Sequence, residues 1–362
     1  MHCGCRQHSV DGRYHIKIIA SVEIAVFDVI FFSSPIGLGH AARDIALAQN
    51  LDKLFIKFVS GGGAQKLLSE YGLETENAYN APAFEVQNGI LQNPLKWLWR
   101  YYSYYKECKV ISSKIIEKEK PQLIVSDEDF ASLSIAQKQK LKTVLITDVL
   151  ETKFVKGFGS LVEKKMNRSM RDIMKKCDLV ILLKDGSVED NIVRVGPIVR
   201  STLYSREQLR KKFSFDKKTI VVSIGGTSAG QFLIEKATQV FKRLKIDAEL
   251  VIVSGPSVKI PDAKIQNFGF ANNLHEIIYA ADLIISLAGK STIDESKHYG
   301  TPGIFIPIKG HFEQEENARE IGFTYEDLFH LESLIPTKLD EKRNPIIFDG
   351  AQKAANLIKG LV

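Results

Sequence analysis

His40 closes a short glycine loop, Gly37-Leu38-Gly39-His40, where an apolar run gives way to a helical pattern. A histidine at a helix start faces the crevice beyond the strand ends, and the positive end of the helix dipole favours its neutral form. A neutral imidazole is a usable general base near pH 7. A second loop, Gly225-Gly226-Thr227-Ser228-Ala229-Gly230, offers backbone N–H groups and two hydroxyls to a phosphate. A third stretch, Ala288-Gly289-Lys290-Ser291-Thr292, opens another helix at Ser291 or Thr292 and puts Glu295 on its first turn. A carboxylate there accepts two hydrogen bonds from a diol. Asp127, in Ser126-Asp127-Glu128-Asp129, follows a buried strand, where it orients an acceptor group or assists His40. Each has a plainer reading. Thr292 and Glu295 match a capping box, Asp127 matches an N-cap with an acidic first turn, His40 matches a capping or surface histidine, and a glycine loop also serves packing alone.

These residues need elements that carry them to one edge. Apolar runs at Ile24 to Ser33, Leu54 to Val59, Leu123 to Ser126, Thr143 to Ile146 and Leu179 to Leu182 read as strands with helical segments between them. The pattern pauses at Val195-Gly196-Pro197-Ile198-Val199-Arg200, a linker by its Gly-Pro pair. It restarts with strands Thr219 to Ile224, Glu249 to Val253, Lys264 to Phe268, Leu283 to Leu287 and Ile304 to Ile306. Helices Ala41 to Asn50, Gln231 to Leu244, Asn272 to Ala280 and Gly350 to Leu361 intervene or follow, and Glu74 to Asn93 reads as a long connection. Such alternation predicts an α/β protein: two doubly wound, Rossmann-like domains facing a cleft. The expected divisions are an extension at 1–22, a first domain at 23–197, a second at 198–345, and a last helix at 346–362 that packs back on the first domain.

The 362-residue length fits two cores. Net charge is +6, which suits a phosphate-bearing ligand or an anionic surface and falls short of a nucleic-acid binder. The run from Ile16 to Phe32 is broken by Lys17, Glu23 and Asp28, so it reads as neither signal nor anchor. Cys3, Cys5, Cys108 and Cys177 make no disulfide framework, which points to a reducing, cytoplasmic compartment. His2, Cys3, Cys5 and His8 hint at a metal tail, but no fold pattern surrounds them; no metal or cofactor is expected. Gly37-Leu38-Gly39-His40-Ala41-Ala42 satisfies a dinucleotide fingerprint, yet the next strand ends Val59-Ser60-Gly61 without the ribose-binding acid.

In their order, the two glycine loops, Ala288-Gly289-Lys290-Ser291-Thr292-Ile293-Asp294-Glu295 and His311-Phe312-Glu313-Gln314-Glu315-Glu316-Asn317-Ala318 resemble the MurG-like glycosyltransferases of the GT-B fold. The resemblance spans nearly all of the chain after residue 22. It implies hexosyl transfer, of N-acetylglucosamine or a related sugar, from a UDP-sugar to an acceptor hydroxyl without a metal. It also implies that Glu295 holds the ribose and that Gly226, Thr227 and Ser228 meet the diphosphate. Gly289, Lys290, Ser291 and His311 frame the donor, Gln314 contacts the sugar, the Phe270-Ala271 backbone reads uracil, and His40 is the base. Gly37 and Gly39 shape the acceptor loop. Two departures touch donor identity: Leu287-Ala288 replaces an Arg-Ser pair, and Glu313 replaces the first of two glutamines.

The segment at 93–106, NPLKWLWRYYSYYK, sets both tryptophans and four tyrosines among Lys96, Arg100 and Lys106. As a helix it either packs its rings on the first domain or touches the inner face of a membrane, bringing the site to a lipid-linked acceptor. Two alternatives remain: a nucleotide-sugar hydrolase of the same fold, and a nucleotide-sugar-binding subunit that needs a partner.

Overall fold

The computed structural model describes residues 27–153, 160–226, 228–255, 258 and 265–362. The expectations for the N-terminal extension, including its cysteines and histidines, and for Thr227 lie outside the described residues. The first half contains strands β1 (Val29–Ser33), β2 (Ile56–Ser60), β3 (Thr75–Asn77), β4 (Val86–Gln87), β5 (Ile90–Leu91), β6 (Leu123–Asp127), β7 (Lys142–Thr147), β8 (Leu179–Leu182) and β9 (Ile192–Arg194). Its helices are α1 (Gly39–Ala48), α2 (Gly62–Glu70), α3 (Pro94–Glu119), α4 (Phe130–Lys138) and α5 (Ser160–Met174). The second half contains β10 (Lys218–Ser223), β11 (Ala248–Val253), β12 (Gln266–Asn267), β13 (Leu283–Leu287) and β14 (Gly303–Ile306). Around them lie α6 (Arg206–Phe213), α7 (Gln231–Arg243), α8 (Leu274–Ala280), α9 (Lys290–Tyr299), α10 (Phe312–Glu320), α11 (Leu331–Leu339) and α12 (Gly350–Lys359).

Two Rossmann-like sheets result. The first runs β3-β2-β1-β6-β7-β8-β9 and the second β12-β11-β10-β13-β14. Every pairing within both is parallel. Parallel sheets need helices on both faces, so their strands are apolar on both sides. Phe31, Phe32 and Phe58 are accordingly fully buried, each worth roughly 1.5–3 kcal/mol of burial. Strand order reverses between β1 and β6 in one sheet and between β10 and β13 in the other. A crevice opens beyond the carboxyl ends of the strands at each reversal.

The two halves touch closely. The β4–β5 hairpin belongs to the first half in sequence but bonds to the second: Leu91 N–H donates to the Lys309 carbonyl at 2.9 Å, and Lys309 N–H to Gly89 at 2.8 Å. The long connection expected at Glu74 to Asn93 therefore contains β3 and this hairpin, segments too short for periodicity to reveal. From the C-terminus, Ala354, Ala355 and Ile358 of α12 enter the core of the first sheet. Other differences are at element ends. β1 spans Val29–Ser33 and β12 Gln266–Asn267, and residues 24–26 and 264 of the expected strands lie outside the described residues. Among the described residues no helix is long and apolar enough to cross a membrane.

Candidate active site

Both reversal points open on one cleft of about 750 Å³, a size suited to a nucleotide-sized ligand. From the first half, the loop after β1 supplies Gly37, Gly39 and His40, and the end of β6 supplies Glu128. From the second half come Gly225 and Gly226 after β10, Gly289, Lys290, Ser291 and Glu295 around the start of α9, and His311 and Gln314 around that of α10. Ala271 also lines the cleft, while Phe270 packs on the first core, with Lys66 over its ring at 5.2 Å. Gly225 holds φ +72°, a left-handed value that a side chain resists. Gly226 is small for another reason: a Cβ there would lie 2.9 Å from the Leu38 side chain of the opposite half. Ser291 Oγ donates to the Gly39 carbonyl at 3.1 Å across the same seam.

On the first side, His40 is the centre. Its Nδ1 lies 2.8 Å from Asp127 Oδ1. Arg43, one turn further along α1, grips the same carboxylate with Nε at 2.6 Å and Nη2 at 2.5 Å. Asp127 is fully buried, and Arg43 holds its carboxyl below the usual range against the cost of burial. The N-cap reading of Asp127 fails: Asp129 caps α4, accepting from the N–H groups of Ala131 and Ser132. The expected lowering of the His40 pKa is also overturned. Burial pulls it down, but the charge and hydrogen bond of Asp127, with help from Glu128, raise it to about 9. A full negative charge at 2.8 Å outweighs the half-charge of a helix end. Near His40, burial and Glu128 push Asp148 up to about 7, and burial and Asp148 push Glu313 to about 7.

On the second side, α7 and α9 begin without a side-chain cap hydrogen bond among the described residues. The first N–H groups of α9, at Lys290 to Thr292, face an anion site. Ser228 opens the short turn Ser228–Gly230 that leads into α7. Two expectations about α9 need correction. The helix starts at Lys290 after an N-cap at Gly289, so Glu295 lies in the second turn and no Thr292 capping box forms. Instead Glu295 is buried and paired: Arg200 donates from Nε to Oε1 at 2.8 Å and from Nη2 to Oε2 at 3.2 Å. Arg200 Nη1 also holds the Asn272 carbonyl at 2.8 Å, tying the linker to the loop that follows Ala271. Lys290 is engaged by Asp294 at 3.0 Å. Buried His311 caps α10, and Gln314 Oε1 accepts from the Ile308 N–H at 3.0 Å.

The sequence reading missed Arg43, Arg200 and Glu128. Arg43 had a local signal, since position i+3 on a helix shares a face with His40. Arg200 had none, because its partner lies 95 residues away.

The aromatic stretch forms the start of α3 and divides its rings. Trp97 is 7% exposed, stacks on Phe84 at 4.5 Å and donates Nε1–H to the Pro82 carbonyl. Trp99 is 59% exposed, with Leu95 and Tyr102 exposed nearby. Tyr101, Tyr105 and Phe130 line the cleft together with Met166 and Met170 of α5.

Two Rossmann-like domains meeting at a cleft, with uncapped helix starts facing a histidine–aspartate pair, describe a glycosyltransferase of the GT-B class. Residues 219–359 match the glycosyltransferase family 28 C-terminal domain. The chain is 26% identical over 306 residues to an uncharacterized glycosyltransferase of Methanopyrus kandleri, covering 79% of this chain and 84% of the relative. It is 24% identical over 300 residues to the UDP-N-acetylglucosamine--N-acetylmuramyl-(pentapeptide) pyrophosphoryl-undecaprenol N-acetylglucosamine transferase of Thermosipho africanus, covering 78% and 80%. MurG of Acinetobacter baumannii has a similar fold, with a TM-score of 0.52 at 14% identity over 92% of this chain and 99% of that one. Over most of its length the chain is similar to MurG-like glycosyltransferases of the GT-B fold.

Proposed function

We propose that the protein transfers a hexosyl group, N-acetylglucosamine or a close relative, from a UDP-sugar to the hydroxyl of a lipid-linked acceptor at the inner face of a membrane. The observation that carries this is the convergence of both strand-reversal points on one cleft, with His40 on one wall and helix N-termini on the other. The acceptor oxygen attacks the anomeric carbon, its proton passes to His40 Nε2, and the bond from that carbon to the diphosphate oxygen breaks. Asp127 orients the imidazole through Nδ1 and offsets the charge it gains. The departing diphosphate gathers charge against the N–H groups at Gly226, Ser228 and the start of α9, with Lys290 and Ser291 beside them. Glu295, fixed by Arg200, retains lone pairs for the ribose hydroxyls. The Phe270-Ala271 backbone meets the base, and His311 and Gln314 the sugar. Closure of the two halves excludes water.

The acceptor part of the reading rests on chemistry at the other end of the cleft. Rings and methionines beside His40 favour an organic acceptor over water. Exposed Leu95, Trp99 and Tyr102, with Lys96, Arg100 and Lys106 on the same helix, suit a membrane surface. The named chemistry of the Thermosipho relative supports the same donor and a lipid-linked acceptor. A thermal-shift screen of uridine, guanosine and thymidine diphosphate sugars tests the donor. At a hundred times Kd the cognate donor stabilises by about 2.7 kcal/mol, a rise of several degrees. UDP-sugars without effect beside an active guanosine or thymidine series would overturn the donor assignment.

A further inference from the structure

Glu128 has a geometry that the transfer step does not use. It is a non-glycine residue at φ +58°, held there by its place between strands. Its N–H donates to the Ile146 carbonyl at 3.2 Å, and its backbone bridges to Ser33. Left-handed backbone at such a residue costs on the order of 1–3 kcal/mol and persists where the surroundings enforce it. The effect here is to turn the side chain back into the cleft, which Glu128 lines. One carboxylate oxygen is anchored: Oε1 accepts from Thr147 Oγ1 at 2.9 Å and from Asp148 N–H at 3.2 Å. The other, Oε2, lies 3.8 Å from His40 Nε2, the nitrogen that faces away from Asp127.

That separation is too long for a direct hydrogen bond and short enough for one acceptor molecule to span. In the neutral form that acts as base, Nε2 needs the hydrogen of the attacking hydroxyl. Glu128 Oε2, a carboxylate oxygen that accepts, is also met by a hydroxyl hydrogen. A single hydroxyl has only one, and giving it to Glu128 takes it away from the base. Two hydroxyls on adjacent carbons satisfy both, because their oxygens in a gauche arrangement lie on the order of 3 Å apart, within hydrogen-bond reach.

We infer that Glu128 is an acceptor-binding residue that selects a vicinal diol, so the acceptor presents an unblocked hydroxyl next to the one that is glycosylated. This rests on the glycosyl-transfer reading and narrows its acceptor to a sugar ring or polyol with a free neighbouring hydroxyl. An isolated alcohol, or a ring etherified at that neighbour, leaves the Glu128 carboxylate facing an oxygen or a carbon with nothing to donate. Aromatic and methionine side chains beside the pair accept an alkyl tail, so simple alkyl diols serve as probes.

The test follows the His40 imidazole resonances of the full-length protein saturated with UDP at pH 10, above the value of about 9 at which His40 becomes neutral, while octane-1,2-diol, 2-methoxyoctan-1-ol and octan-1-ol are titrated in. A hydrogen bond to a carboxylate predicts that the diol binds about tenfold or more tightly than either mono-alcohol. In Glu128→Gln the anchored oxygen keeps its two donors, so the fold is retained, and the free position becomes an amide N–H₂. There the preference for the diol collapses to within about twofold. Equal affinity for the three probes in the wild type, a preference that survives in Glu128→Gln, or a diol that never shifts the His40 signal would each overturn the inference. UDP binding is measured in the same samples. Its absence points to failure of the donor reading, and its presence without diol preference points to failure of the Glu128 assignment alone.

Discussion

Replacing Asp127 with Asn separates two effects that the carboxylate has on His40. Asp127 raises the imidazole to about 9. A base works in its neutral form, so the wild-type rate should climb as pH rises toward about 9. At pH 7 roughly 1% of His40 is neutral, two powers of ten below its maximum. In Asp127→Asn the raising influence goes and burial remains, so His40 is mostly neutral at pH 7 and the ascending limb moves down. That alone would speed the variant up to about 100-fold at pH 7. Against it stands the loss of a group that orients the ring and offsets its charge, which costs on the order of 10²–10⁴. The second effect should win or draw level at pH 7 and dominate above. The ratio of wild-type to variant kcat/KM should therefore grow about tenfold per pH unit between 7 and 9. Donor consumption followed across pH 6 to 10 measures it. Arg43, Asp44, Asp148, Glu128 and Glu313 are the other charged or titrating groups around His40, and all are retained in the variant. Loss of the Arg43 partner should also destabilise by about 3 kcal/mol, visible in denaturant titration. Parallel pH profiles for the two proteins would refute the assignment of His40 as the base tuned by Asp127.

Three further outcomes follow from the same geometry. Glu295→Gln should weaken donor binding about tenfold and lower the melting temperature, because Arg200 loses half of a buried charged pair; calorimetry showing unchanged donor affinity would remove the ribose role. Trp99→Ser with Tyr102→Ser should reduce flotation with anionic liposomes at little cost in stability, and undiminished flotation would discard the membrane contact. Trp97→Ser, by contrast, should cost about 3–5 kcal/mol, since that ring is packed rather than presented, and a melting temperature equal to wild type would contradict the packing.

Much of the architecture could be read from residues alone, because fully buried parallel strands leave long apolar runs such as Leu283–Leu287, whose bounds coincide with those of β13. Short pieces could not. The β4–β5 hairpin is held through Gly89 and Leu91 to Lys309 of the other half of the chain, a relation that no local pattern carries. At the site, the loops were legible because glycine in a left-handed turn and a helix start leave signatures in composition, as Gly225 does. Electrostatics was not. The dipole argument for His40 used only its own helix and missed a carboxylate that arrives from β6, 87 residues on. Glu295 shows the same limit: the four-residue pattern from Thr292 suggested a cap, but the helix begins two residues earlier and the carboxylate turns to Arg200.

The most direct test of the whole account is a crystal structure of the protein with UDP-N-acetylglucosamine. The account predicts the diphosphate at the N–H groups of Gly226 and of the start of α9, with ribose at Glu295 and the anomeric carbon turned toward His40. A diphosphate bound outside this cleft, or inside it with the anomeric carbon facing away from His40, would contradict it.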